Sequence, residues 1–178
     1  SLVLSGMFES AFGGDGDDNL IGTADFNDLA GGRGNDTLSG GDAPDFLDGG
    51  QGNDNLAGGA GPDMFVIKAD PGSTDTILDF SPTQAVEKIL IVGFDNISDF
   101  TQLDIVDDGS DTVISLGQGQ TVVLKGVTRA ELSEQNFTFI TKTAMNAPGI
   151  APLQVYKTLL GQNSISWGDD NPQELQFP

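Results

Sequence analysis

The chain contains no cysteine and no histidine. Without cysteine there can be no disulfide staple, and the fold must be held together by other means. Without histidine, His-based zinc sites, Ser-His-Asp triads and Cys-His pairs are all excluded. Basic residues are scarce, 7 Lys and Arg against 27 Asp and Glu, which leaves a net charge of −20 over 178 residues. Nucleic acid and anionic membrane surfaces are poor partners for such a chain. Long apolar runs are also missing. Ile89 to Val92 is among the longest, far short of a bilayer span. Ser1-Leu2-Val3-Leu4 lacks the basic start and extended apolar stretch of a secretory signal peptide. Tyr156 and Trp167 are the single tyrosine and tryptophan.

What the chain has in excess is glycine and aspartate, and they are ordered. A period of nine residues runs from Gly13 to Val66: GGDGDDNLI, GTADFNDLA, GGRGNDTLS, GGDAPDFLD, GGQGNDNLA and GGAGPDMFV. Glycine opens every unit. The sixth position is Asp18, Asn27, Asp36, Asp45, Asp54 and Asp63. The eighth is Leu20, Leu29, Leu38, Leu47, Leu56 and Phe65. The second unit is degenerate, with Thr23, Asp25 and Asn27, and the fourth carries Ala43 in place of a glycine. Flexible Gly/Asp-rich linkers do not hold an apolar residue in phase over six units.

The pattern has a physical reading. Glycine admits turns with positive φ that turn backbone carbonyls toward a cation. An aspartate at a fixed place adds a hard, charged oxygen, which suits calcium. The last three residues of a unit form a short strand whose central side chain points inward. One unit cannot bury that side chain alone, but stacked units can. Eleven Asp and one Arg lie in residues 13–66, so half the net charge sits where bound cations would neutralise it. Two unit charges ~4 Å apart repel by ~4 kcal/mol at an effective dielectric of ~20.

These units resemble the RTX (repeats-in-toxin) nonapeptide, G-G-x-G-x-D-x-U-x with U apolar. The resemblance implies an all-β fold, a right-handed parallel β-roll in which two units make one coil and each unit stacks on the next but one. Leu20, Leu38 and Leu56 would line one sheet, and Leu29, Leu47 and Phe65 the other. It also implies several calcium ions held between stacked turns. The paired aspartates would be Asp36 with Asp54, Asp18 with Asp36, and Asp45 with Asp63. The pair Asn27 with Asp45 should be weaker or empty. The turn glycines whose carbonyls would join them are Gly14, Gly16, Gly32, Gly34, Gly41, Gly50, Gly52, Gly59 and Gly61.

Beyond Phe65 the pattern changes. Asp75–Phe80 and Glu87–Val92 read as strands around a turn at Pro82. Leu103–Val106, Thr112–Leu116, Thr121–Lys125 and Phe137–Ile140 also read as strands, with turns at Asp107–Ser110 and Gly117–Gly119. Thr128-Arg-Ala-Glu131 is a capping-box sequence opening a short helix through about Gln135. This order resembles the β-rich flank that follows many RTX repeats and caps the roll. The resemblance implies that Asp75 and Asp79 contribute to the terminal calcium sites, although either fits a solvated turn or strand start equally well. The organisation is a lead-in over 1–12, six repeats over 13–66, a cap over 67–140, and a tail over 141–178. In the tail, Pro152–Leu160 reads as one short helix with Gly161 at its end. The tail suits a secretion signal or a link to a partner region.

The functional expectation is a module that folds on extracellular calcium and supports type I secretion of a larger protein, with the secretion machinery as its transient partner. One alternative is a calcium-stabilised adhesion or polysaccharide-binding module, using aromatics such as Phe80, Phe94, Tyr156 and Trp167. Another is the non-catalytic C-terminal part of a secreted hydrolase, lyase or epimerase. No nucleophile elbow or zinc motif is present, so the chain reads as no enzyme in itself. Asp70-Pro71, an acid-labile dipeptide, is by itself weak support for self-processing. A far-UV circular dichroism titration should show a cooperative gain of β signal at calcium of about 10⁻⁴ to 10⁻³ M. Magnesium over the same range should leave the spectrum unchanged.

Overall fold

The computed structural model describes residues 2–3, 9–83 and 87–142. Within them, strands alternate between two sheets, as a nine-residue unit with one turn and one strand requires. The strands are β1 (Leu2–Val3), β2 (Glu9–Asp15), β3 (Asn19–Ile21), β4 (Asn27–Arg33), β5 (Thr37–Asp42), β6 (Phe46–Gln51), β7 (Asn55–Ala60), β8 (Met64–Lys68), β9 (Thr74–Ile77), β10 (Lys88–Val92), β11 (Asp104–Asp108), β12 (Asp111–Gly117), β13 (Gln120–Leu124) and β14 (Phe137–Ile140). One sheet has the order β1-β3-β5-β7-β9-β13-β12-β11, and the other β14-β10-β8-β6-β4-β2. Odd and even strands of the repeat thus fall on opposite sides of a parallel β-roll.

The register follows the period. Leu20 pairs with Leu38, and Leu38 with Leu56, at steps of two units. On the other side Leu29 pairs with Leu47, and Leu47 with Phe65. All six are buried in one core. A strand repeats its side chains every two residues, so the neighbours of each inward leucine point out. Glycine meets two different needs. Gly32 and Gly34 adopt φ of +113° and +124°, which side chains resist. Gly31 has an ordinary φ, but a Cβ there would overlap Asp36 and the Gly49 carbonyl. Ala43 holds φ +73° in a glycine's place, so the fourth unit keeps its turn at the cost of local strain.

The roll extends beyond the repeats in both directions. Residues 9–12, read as lead-in, belong to β2, and Ala11 pairs with Leu29 as an inward residue. At the other end the coil continues with longer turns. Leu56 pairs with Ile77 and Phe65 with Ile89, steps of 21 and 24 residues. Ile77 then pairs with Leu124 and Ile89 with Phe137. The last coil absorbs an antiparallel meander, β11-β12-β13. Phe80, Phe94, Ile97, Ile105, Ile114, Val127 and Leu132 fill the core at this end. Phe80 packs edge-on against Phe65, with centroids 6.1 Å apart. The outermost strand, β11, exposes Asp104, Asp107 and Asp108 along its edge, which discourages pairing with another sheet.

Two expectations need correction. The helix expected from Thr128 to Gln135 is a pair of 3₁₀ turns, Arg129–Glu131 and Glu134–Asn136. The Glu131 carboxylate accepts from the Thr128 N–H and hydroxyl, both at 2.8 Å, which closes the first turn. Leu132 is then extended and buried, because its side chain joins the core and the helix cannot continue through it. Phe80 and Phe94, offered as ligand-contacting aromatics, are core residues instead. The helix at Pro152–Leu160, with Tyr156 and Trp167, lies outside the described residues. Truncating Leu38 to Ala should cost about 2–5 kcal/mol in a calcium-saturated denaturation curve. Ile21→Ala, on the outer face of β3, should change it by less than about 0.5 kcal/mol.

Candidate metal centre

The sixth-position residues form two ladders, one along each row of turns. In the first, the Asp18 N–H donates to Asp36 Oδ1 at 2.7 Å, Asp36 to Asp54 at 2.8 Å, and Asp54 to Asp75 at 3.2 Å. In the second, Asn27 donates to Asp45 at 2.7 Å and Asp45 to Asp63 at 2.9 Å. Each carboxylate therefore spends one oxygen on an amide of the preceding coil. The other oxygen, Oδ2, of Asp36, Asp45, Asp54 and Asp63 is buried with no hydrogen-bond partner. For Asp36 and Asp45 this oxygen stands beside the opening glycine of its own unit and the carbonyl of the glycine one coil on, Gly49 and Gly58.

A buried carboxylate oxygen without a partner is costly. Its surroundings show in the protonation equilibria. Burial pushes Asp45 and Asp75 up to about 7 and Asp54 and Asp63 up to about 6, with neighbouring carboxylates adding to the rise. Asp36 is raised for the same first reason. These hard, anionic oxygens and adjacent carbonyls are the donor set that calcium takes, and the absent Cβ atoms keep the space beside them open. The residues present fit the ion.

The pairs Asp36–Asp54, Asp18–Asp36 and Asp45–Asp63 are each brought into contact as stacking implies. Asp18 stands at the open end and is only half-buried. Asn27 keeps its place in the ladder, but its Oδ1 already accepts from the Thr23 N–H at 2.6 Å. That oxygen is satisfied within its own turn. The turn glycines Gly14, Gly16, Gly32, Gly34, Gly41, Gly50, Gly52, Gly59 and Gly61 all take positive φ. Asp75 ends the first ladder. Asp79 stands outside both ladders: its two carboxylate oxygens accept from the Gly58 and Gly59 N–H groups, each at 2.9 Å. Asp70 does the same for Gly52 at 2.9 Å.

One residue escaped the sequence reading. Lys88 pairs with Met64, so Glu87 lies opposite Asp63, and the Lys88 N–H donates to the Asp63 carbonyl at 2.9 Å. Glu87 is buried, its Oε2 accepts from the Ser81 N–H at 2.9 Å, and burial raises it to about 7, with Asp63 and Asp79 adding to the rise. It stands beyond the last aspartate of the second ladder as Asp75 does in the first, but its carboxylate accepts from Ser81, where Asp75 accepts from the Asp54 N–H of the coil before. The signal for both is an acid two places before an inward apolar residue, Asp75-Thr-Ile77 and Glu87-Lys-Ile89, the same spacing as Asp54-Asn-Leu56 but without the repeat's GGxGx lead.

Residues 12–46 and 30–65 match the family described as RTX calcium-binding nonapeptide repeat (4 copies). The solved AlgE6R2 subunit of the Azotobacter vinelandii mannuronan C5-epimerase is 33% identical over 77% of this chain and 94% of its own, with a TM-score of 0.54. This chain belongs to the RTX calcium-binding repeat family. The AlgE6R3 subunit of the same epimerase is 29% identical over 91% of this chain and 92% of its own, at a TM-score of 0.54. The extracellular lipase LipA of Serratia marcescens is 30% identical over 72% of this chain, at a TM-score of 0.61, and this RTX chain spans 20% of the lipase's length. No curated protein matches the chain. Among the described residues no helix is long and apolar enough to cross a membrane.

The raised carboxyls fix the sign of a pH dependence in chelator. In the unfolded chain they titrate near ~4. Below that, both states hold the proton and folding carries no electrostatic cost. Between ~4 and ~7 the folded state binds protons that the unfolded state has released, so stability falls as pH rises. In excess chelator the folded fraction of this RTX chain should therefore drop from pH 4 to pH 7, read by circular dichroism. Saturating calcium should remove most of that slope.

Proposed function

We propose that this RTX chain is a calcium-responsive folding module of a larger secreted protein, kept unfolded at low calcium for type I secretion and folded outside the cell. The observation that carries the reading is the row of buried, unpartnered Oδ2 atoms at Asp36, Asp45, Asp54 and Asp63. The chain's own residues arrange everything but the positive charge. The ladder amides hold one oxygen of each carboxylate, the leucine rows hold the coils in register, and the glycines leave room beside the second oxygen. When bound, calcium supplies the charge that offsets the carboxylates' repulsion and desolvation. A ligand that binds only the folded state stabilises it by ~2.7 kcal/mol at ~100-fold over its Kd. Several sites stacked on shared aspartates make the transition steep, since each ordered coil presents the donors of the next.

The chain then carries no catalysis of its own, and any activity belongs to the parent protein. The two kinds of solved neighbour, an extracellular lipase and an epimerase, support a parent that is a secreted enzyme. Ions between Asp18 and Asp36, Asp36 and Asp54, and Asp45 and Asp63 form the core set, with Asp75, Glu87 and Asp79 closing the capped end. The space between Asn27 and Asp45 binds weakly or not at all.

Replacing Asp36 and Asp54 together by Ala should abolish the β transition at 1 mM calcium and raise the midpoint at least tenfold. Asn27→Ala should move the midpoint by less than twofold. A double variant whose apo and calcium spectra both match the parent would remove these aspartates from the switch.

A further inference from the structure

The turns that lead into the odd strands form one row, and the last of them is built differently from the rest. In the earlier coils the fourth-position glycine donates its N–H to a backbone carbonyl one coil on, Gly16 to Arg33 at 2.7 Å and Gly34 to Gln51 at 2.8 Å. Gly52 donates instead to a side chain, Oδ2 of Asp70, at 2.9 Å. A carboxylate thus stands where the repeat used main chain, and a side chain has to be aimed. Part of the aim is local. Asp70-Pro71-Gly72-Ser73 is a tight turn, with Gly72 at φ +88° and both the N–H and the hydroxyl of Ser73 donating to the Asp70 carbonyl, at 3.2 and 2.8 Å. Such a turn has a fixed shape, but nothing within it sets its position against Gly52.

That position is set from the cap. Gln120 opens β13 on the same side as the inward Val122 and Leu124 and is 2% exposed. An amide placed there is costly unless both of its ends are bonded. Its Oε1 accepts from the Asp70 N–H at 2.8 Å, and its Nε2 donates to the Lys68 carbonyl at 2.7 Å. The orientation is forced, because a peptide N–H can only donate and a carbonyl can only accept. One side chain therefore grips the main chain on both sides of Ala69. Gly52, the glycine that Asp70 holds, lies in the turn that ends at Asp54, whose Oδ2 is buried and unpartnered. We propose that Gln120 is a positioning residue for calcium on the odd row: it holds Asp70 against Gly52, and so fixes the turn that faces the ion between Asp36 and Asp54. The inference rests on the calcium reading of the ladders. The even row ends on Asp79, which takes the Gly58 and Gly59 amides, so the action of Gln120 is confined to one row. The cap then does more than cover the apolar end of the roll. It makes one row of metal sites depend on a meander 50 residues downstream.

The test follows the backbone amides of the full chain by nuclear magnetic resonance through a calcium titration. Gln120→Met fills the same inward position and removes both hydrogen bonds. The calcium midpoint read at Gly34 and Gly52 should rise about fivefold or more, the order expected when a buried hydrogen bond is lost. The midpoint read at Gly41 and Gly59 should move less than about twofold. Asp70→Ala should give the same split, and the double variant should be no worse than either single one, since Gln120 acts through Asp70. Equal shifts in both rows would make Gln120 a general support of the shared core and overturn the proposal. A double variant whose shifts multiply would overturn it as well. Asp70→Ala leaves Gln120 and the core in place, so it decides the matter even where Gln120→Met fails to fold: with neither row shifted, the proposal falls. An unmodified chain in which neither row answers to calcium would overturn the calcium reading itself, an outcome distinct from two rows that answer and shift together.

Discussion

Everything in this molecule depends on how one carboxylate divides its two oxygens. In each complete step of the ladder, Oδ1 takes an amide proton from the coil before and Oδ2 faces inward with nothing to take. The first contact fixes the stacking of coils. The second leaves a buried anionic oxygen that stacking alone does not satisfy. Register and the cation-binding oxygen are thus supplied by the same side chain. The leucine rows contribute apolar burial, but they meet only in the register that the ladder sets, so their contribution is conditional.

The cap shows how such a structure can end. A roll of identical coils would leave a last coil with open amides and a bare apolar disc. Here the coil lengthens, from steps of 18 residues to 21 and 24, and then takes in an antiparallel meander. The lengthening takes the turns out of the repeat's glycine pattern, although Gly72 still holds a positive φ, and carboxylates fill the places that the next glycine turn would have occupied. Asp70 and Asp79 take the amides of Gly52, Gly58 and Gly59. Asp75 faces Val122 in register, where the ladder stops against an apolar side chain.

The repeat was legible because its two signals, glycine and leucine, answer to constraints that act on single residues. A positive φ or a missing Cβ must be met at one position, and so must an inward pointer, and a nine-residue period exposes both. The cap was half-legible. Its strands alternate and were found to within two residues, except that β9 ends at Ile77 and not at Phe80, but the path of the chain between them was not. Glu87 was missed because it does its work without a glycine turn around it, and because its partner Asp63 lies 24 residues away where the repeat had taught a distance of 18. The broken helix after Thr128 has the same origin. Its capping box is local and real, while the demand on Leu132 comes from a core that forms only after distant segments meet. Ala11 shows the converse: an inward position so small that no apolar period marked it, recruited by pairing with Leu29.

The ladder also has a direction. At every step the amide belongs to the earlier residue and the accepting carboxylate to the later one, 18 or 21 positions downstream. A coil can therefore be completed only when the one after it is in place. Synthesis supplies each amide before its acceptor: the Asp18 N–H has no ladder carboxylate to donate to until Asp36, a full coil downstream, has been made.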